Sequence, residues 1–212
     1  MQGPERKEAR FRNEAWGRER LTPIERFGSW LSLRRLRRTL GPLAGKDVGD
    51  FGCGYRGGIL HDLLDQVRSA TLVDVSLDER LKARPSVRAI EGVLPDVLEH
   101  VADESLDAVI CNNVLEHLWQ RGALLRHVRR VLRAGGTAFI NVPSWRGKWF
   151  LETAAFRLRL TSYEEIDDHK TYFEVRELWQ LLVESGFFPS EIRCASHKFG
   201  LNTYAVCKVR PR

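Results

Sequence analysis

Asp50-Phe51-Gly52-Cys53-Gly54-Tyr55-Arg56-Gly57-Gly58 is the stretch that decides the fold. A short strand, Val48–Phe51, is expected to enter it, and a helix to leave it over Gly57–Val67. Glycines at 52 and 54 let the backbone turn sharply and let a ligand lie directly on the chain. The first turn of a following helix would add amide donors and partial positive charge. Turns of this kind hold pyrophosphate in dinucleotide sites, but Asp50 at the strand end would repel that group. It suits a ligand with a cationic end. A purely structural turn is the alternative reading of the motif taken alone.

From Asp47 onward strands and helices alternate. Strands are expected at Ala70–Val75, Arg88–Ile90, Leu106–Asn112 and Thr137–Val142, with a short helix inside Val93–Val101. A helix over Arg121–Leu132 should stop at the glycines of Arg133-Ala134-Gly135-Gly136. Another, Val175–Ser185, should stop at Gly186. Two last strands, Glu191–His197 and Asn202–Val209, are joined at Lys198-Phe199-Gly200. This order predicts an α/β, Rossmann-like, doubly wound and mostly parallel sheet closed by a C-terminal antiparallel hairpin. The interval 143–174 exceeds the roughly 12–15 residues of an ordinary connection. Its aromatics, among them Trp145, Trp149, Phe156, Tyr163 and Tyr172, mark it as a substrate-side insertion or a hydrophobic plug.

The 212 residues fit one domain with additions, by a prior of roughly 100–200 residues per domain. The net charge of +6 is uneven: residues 1–46 carry +7 and the remainder −1. A basic N-terminal helical extension (1–46) is therefore expected ahead of a near-neutral domain (47–212). A near-neutral body argues against nucleic acid as a partner, because a nucleic-acid cleft is itself basic. Within the extension, residues 23–40 read as a helix capped by Thr22 with Pro23 at its first position. Phe27, Trp30, Leu31, Leu33, Leu36 and Leu40 would form its apolar face. Cys53, Cys111, Cys194 and Cys207 fit no zinc spacing and read as reduced, buried thiols. No apolar run reaches the roughly eighteen residues of a membrane span. The charged N-terminus lacks an apolar signal region, so a cytoplasmic location is expected.

Asp74 ends the second strand, where a carboxylate accepts both ribose hydroxyls of a nucleoside in the crevice at the strand ends. A surface aspartate or a cap for Ser76–Leu81 is the alternative. With this acid in place, residues 47–209 resemble the class I S-adenosylmethionine-dependent methyltransferases with an Asp-x-Gly-Cys-Gly first motif. The resemblance is weakest over 143–174. It implies S-adenosylmethionine as cofactor. Asp50, Gly52, Cys53 and Gly54 would then hold its amino-acid part, and Asp74 with Val75 its ribose. Val93 and Leu94, within Glu91–Leu94, would line the adenine, and Asn112 and Asn113, opening Asn112–His117, would lie beside the sulfonium. Tyr55 stands where the family more often has a small residue, and would pack on cofactor or acceptor.

The resemblance implies methyl transfer to a hydroxyl, less readily to carbon or an amine, of a small molecule or a glycan or lipid-linked precursor. Two histidines are candidate catalytic bases. His117 follows Glu116 after the fourth strand, with packing or capping as its alternative. His169 lies in Asp167-Asp168-His169-Lys170-Thr171-Tyr172-Phe173, which resembles the Asp-His-x-x-Phe segment of related small-molecule and glycan methyltransferases. Asp168 would orient it, or the segment would merely stabilise the loop. No metal triad is identified. The basic helix 23–40 would cover the cofactor or lie on an anionic membrane. A methyltransferase-like sensor without turnover is the rival from the binding class. A nicotinamide dehydrogenase is disfavoured by Asp50, by the terminal hairpin and by the missing third spaced glycine.

Overall fold

A computed structural model of the chain describes residues 23–152 and 168–210. The Thr22 cap, Phe156, Tyr163 and the polar residues 1–20 lie outside them. The elements in chain order are α1 (Pro23–Leu40), β1 (Asp47–Phe51), β2 (Ser69–Asp74), α2 (Glu79–Lys82), β3 (Val87–Glu91) and β4 (Leu106–Asn112). They continue as α3 (Arg121–Val131), β5 (Leu132–Pro143), α4 (Trp145–Glu152), α5 (Val175–Glu184), β6 (Ile192–His197) and β7 (Asn202–Lys208).

The seven strands form one sheet in the order β3-β2-β1-β4-β5-β7-β6. β1 to β5 run parallel, and β7 is antiparallel to both β5 and β6. This is the expected fold class. Strand order reverses between β1 and β4, which opens a crevice at their carboxyl ends.

Alternation along the buried strands builds two cores. Val109 and Cys111 of β4 face one side, with Leu124 and Val128 of α3 and Leu178 and Leu182 of α5. Ala108 and Ile110 face the other, with Leu36 and Leu40 of α1, Leu60, Leu63 and Phe139. The N-terminal helix is thus part of a core. Its buried side is Ser32, Leu36 and Leu40, while Phe27 and Trp30, expected on the apolar face, are exposed. The partly buried Arg35 guanidinium lies 4.9 Å from the Tyr204 ring centroid.

Two expected elements take other forms. No α-helix spans Gly57–Val67; a series of turns leads into a 3₁₀ turn at Leu60–Leu63. Gly57 (φ +80°) and Gly58 (φ +48°) sit in the left-handed region, which breaks a right-handed helix at its start. The glycines after α3 do not cap it either. Extended Leu132 ends the helix and begins β5 directly. Leu106 pairs with Leu132 and Ala108 with Thr137, so Arg133–Gly136 bulge out of the ladder. The bulge lets Arg133 reach Asp47 at 2.9 Å and Asp107 at 2.8 Å. The 93–101 region holds a 3₁₀ turn at Asp96–His100. All four cysteines are free thiols, and Cys194 is only partly buried.

Candidate active site

β1 delivers Asp50 to the floor of the crevice, fully buried. Desolvation pushes its carboxyl up to about 8, and the nearby Asp74 charge adds to this against a backbone bond from Leu60. Among the described residues its Oδ2 has no hydrogen-bond partner. A buried carboxylate oxygen left in this way is costly, and a ligand cation or donor would relieve it. Gly52 follows with φ +74°, and a Cβ there would stand 2.5 Å from Val114. The turn therefore needs glycine both for its backbone angle and for packing against the loop after β4.

Asp74, at the end of β2, accepts from the Gly54 amide at 2.7 Å through Oδ2 and from the Val75 amide at 2.8 Å through Oδ1. Burial raises its carboxyl, with those two amides opposing. It does not cap the next helix. Asp78 does that, accepting from the Arg80 amide at 2.9 Å.

Two adjoining cavities, of about 290 and 680 Å³, share Gly52, Asp74 and Asn113. The larger is lined by Asp50, Cys53, Gly54 and Asn112, with Ser29, Trp30 and Leu33 of α1 as one wall. The smaller is lined by Val75, Val93, Leu94 and His117. Of the residues expected to hold the cofactor, Tyr55 lines neither; its carbonyl accepts from the Asp78 amide at 2.9 Å. Glu91 is engaged elsewhere, accepting from the Leu77 amide at 2.7 Å and pairing with Lys82 at 2.8 Å. The linings would suit the parts of S-adenosylmethionine in order: a cationic end over Asp50, ribose hydroxyls at Asp74 and a flat base beside Val93 and Leu94. The orphaned Asp50 oxygen is the observation that makes this cofactor fit.

The two histidines come together at the mouth. His117 Nδ1 is 2.9 Å from Asp168 Oδ2. Asp168 thus pairs with His117, not with its neighbour His169, which adjacency in the chain offered as one of two readings. Burial alone would raise Asp168; its bonds to His117 and Lys170 outweigh that and hold the carboxyl below its usual range. The Lys170 amide donates to the Glu116 carbonyl at 2.7 Å, which pins the 168–170 segment against the loop after β4. His169 packs edge-on against His117, with centroids 4.8 Å apart, and its Nδ1 is 3.2 Å from the Tyr172 hydroxyl. Desolvation first, then the His117 charge, pushes His169 down to about 3. It is neutral at pH 7 and a weak base. Glu116, His117 and His169 also bring three ligand-type atoms within 4.8 Å of one another, a cluster that sequence reading did not identify.

Sequence reading also missed Asn141. It is fully buried in β5, and its amide donates to Asn112 Oδ1 at 3.0 Å and Asn113 Oδ1 at 3.1 Å. A lone asparagine within Phe139-Ile140-Asn141-Val142 was the available signal. Asp96, Trp119, Gln120, Asp168 and Lys170 also line the smaller cavity. They come from segments that only folding brings together.

Residues 49–140 match the methyltransferase domain family. The ubiquinone biosynthesis O-methyltransferase of Paracidovorax citrulli is 31% identical over 121 residues, 53% of this chain and 50% of that protein. The Pseudomonas aeruginosa protein of the same name is 32% identical over 117 residues, 51% of this chain and 49% of its own length. The chain thus spans about half the length of the curated relatives it matches. Among solved structures, an S-adenosylmethionine-dependent methyltransferase of Archaeoglobus fulgidus superposes with a TM-score of 0.62 at 16% identity, covering 85% of this chain and 94% of that one. One from Aquifex aeolicus gives 0.58 at 16% identity, over 85% and 91%. These likenesses establish the shared fold. With the methyltransferase domain match over 49–140, they support a class I S-adenosylmethionine-dependent methyltransferase.

Proposed function

We propose that the chain transfers a methyl group to a hydroxyl of a small molecule or a glycan or lipid-linked precursor, with His117 as general base. The carrying observation is the His117–Asp168 pair at 2.9 Å on the wall of the cavity that Asp74 also lines. Bound S-adenosylmethionine supplies a methyl group activated by a positively charged sulfur. The chain supplies alignment, dryness and a place for the proton. Asp168 fixes the imidazole with its proton on Nδ1, which makes Nε2 the basic nitrogen. Nε2 would then be placed to take the proton of the acceptor hydroxyl as that oxygen is methylated. Asp168 stabilises the resulting imidazolium. His169, held neutral, packs against His117 without competing for that proton. The named hydroxyl chemistry of the relatives supports the same choice of acceptor atom.

Extract metabolites that gain one methyl group identify the acceptor. On that acceptor, His117→Ala should lower kcat by about 10²–10⁴-fold, the range for a lost general base, with S-adenosylmethionine affinity nearly intact. Asp168→Asn should lower kcat in the same direction. His169→Ala should act mainly through the acceptor KM. A larger kcat loss from His169→Ala than from His117→Ala would overturn the assignment. Turnover abolished by a chelator and restored by a divalent ion would move the role to a metal at the Glu116–His117–His169 cluster.

A further inference from the structure

We propose that the crevice-mouth edge of the molecule docks on an anionic lipid bilayer through one aromatic and basic face. The face is built by α1, α4 and the turn at Lys198–Gly200. β6 runs parallel to β5, so that turn emerges on the same edge as the carboxyl ends of β1 and β4. Side-chain geometry joins the three pieces. The Lys198 Nζ lies 3.8 Å from where a Cβ on Gly28 would stand, and the Arg146 guanidinium 3.3 Å from one on Gly200. The Ser144 hydroxyl, just ahead of α4, donates to the Gly200 carbonyl at 2.6 Å.

Large hydrophobic side chains stand exposed across this sector: Phe27 and Trp30 on α1, Trp145, Trp149 and Phe150 on α4, and Phe199 on the turn. Trp149 is 73% exposed and Phe199 84%. Large apolar side chains left exposed along one edge in this number mark an interaction surface. The charge on α1 selects the partner. At about 100° per residue, Arg26, Phe27, Trp30, Arg34, Arg37 and Arg38 fall within one arc of about 120°. All six are exposed. The opposite arc holds buried Ser32, Leu36 and Leu40. Phe27 stacks on Trp30 with centroids 5.8 Å apart, and the Arg34 guanidinium lies 5.5 Å from the Trp30 ring centroid. Arg146 adds a further cation, against Glu25 and Glu152 in α1 and α4. Aromatic rings set among arginines on one helix face suit the headgroup zone of an anionic membrane. A neutral apolar partner would leave the guanidinium groups without counter-charge. Among the described residues no helix is long and apolar enough to cross a membrane, so this contact is peripheral. It would turn the crevice mouth toward the bilayer, and it does not depend on which acceptor is methylated.

The test is sedimentation of the full chain with phosphatidylcholine vesicles, with and without phosphatidylglycerol. Partition into the anionic vesicles should exceed that into neutral ones by at least about tenfold and fall with added salt. Phe199→Asn with Trp149→Ser leaves the charge unchanged. Asparagine tolerates the left-handed backbone of Phe199, whose φ is +59°. This pair should keep the thermal midpoint and lose at least about tenfold in partition. Arg34→Glu with Arg37→Glu should lose as much. No partition of the wild type, or unchanged partition of the aromatic pair, overturns the proposal; in the second case the lipid contact lies elsewhere. Concentration-dependent dimerisation that the aromatic pair abolishes, with no vesicle binding, would make the face an interface between copies.

Discussion

A carboxyl buried as fully as Asp50 ionises readily only when a cation meets it. Its folded value of about 8 lies above the ordinary range, chiefly through desolvation. The sign follows from linkage. In the ligand-free fold the protonated form is favoured, so its contribution is present below about 4 and is lost as pH rises through about 8. A cofactor ammonium group over Oδ2 would ionise the acid and expel that proton. Binding of S-adenosylmethionine near pH 7 should therefore release close to one proton, and release should fade above pH of about 9. Calorimetric titrations in buffers of different ionisation heat measure this directly. Asp50→Asn should abolish the buffer dependence. Binding heats identical in all buffers for the wild type would remove Asp50 from the cationic end of the site.

At the scale of elements, α1 does two things that its sequence suggested only in part. Leu36 and Leu40 fasten it to Val48 and Phe139 in the second core. Ser29, Trp30 and Leu33 wall the larger cavity. Leu36→Ala should cost roughly 2–5 kcal/mol of stability, the usual range for a fully buried leucine. It should also weaken S-adenosylmethionine binding, because the wall moves with the helix. Leu182→Ala in α5 empties the core on the opposite face of the sheet. It should cost comparable stability with little change in affinity. Parallel chemical denaturation and titration of the two variants decides the matter: equal affinity losses would show that α1 is no part of the site.

The whole molecule is fastened by carboxylates away from the crevice. Bonds from Arg68 lead those that hold Asp47 well below the usual carboxylate range, with Ser69 and Arg133 contributing. Burial opposes the shift in Asp107, but the Asp47 amide and Arg133 outweigh it. Glu191, ahead of β6, behaves similarly: burial is offset by the Phe188 and Arg210 amides and by Arg129 at 3.0 Å. Depressed values mean stability that is present above the unfolded values of about 4 and is lost as pH falls toward the folded ones. Asp50 runs the opposite way between about 4 and 8. Buried neutral His169 and His197, held down to about 3 and about 4, add stability that is lost as pH falls below about 6.5, so they oppose Asp50 there. Ligand-free thermal stability should therefore peak near neutral pH, fall steeply below about 4, and decline toward about 8. Midpoints measured across that range test it. Arg133→Met, which cuts the Arg133 bridge between Asp47 and Asp107, should soften the acid limb; an unaltered limb would locate acid lability elsewhere.

Local signals carried much of this protein. Alternation of short apolar runs with helical ones specified the parallel sheet, because strand and helix periods are written residue by residue. The first motif and Asp74 specified a crevice for a nucleoside ligand with a cationic end, because both sit at strand ends whose place in the sheet follows from chain order. Tertiary structure decided what depends on distant contacts. Gly57 and Gly58 read as a helix start, but their left-handed angles end any helix there. Gly135 and Gly136 read as a helix cap, but strand pairing pulls the segment into β5 as a bulge. Phe27 and Trp30 read as core, but Leu36 and Leu40 won the buried side of α1, leaving the aromatics outside. Asp168 stands next to His169 in the chain yet bonds to His117, fifty-one positions away. The fold alone brings those two side chains within reach, and adjacency in sequence carries no record of it.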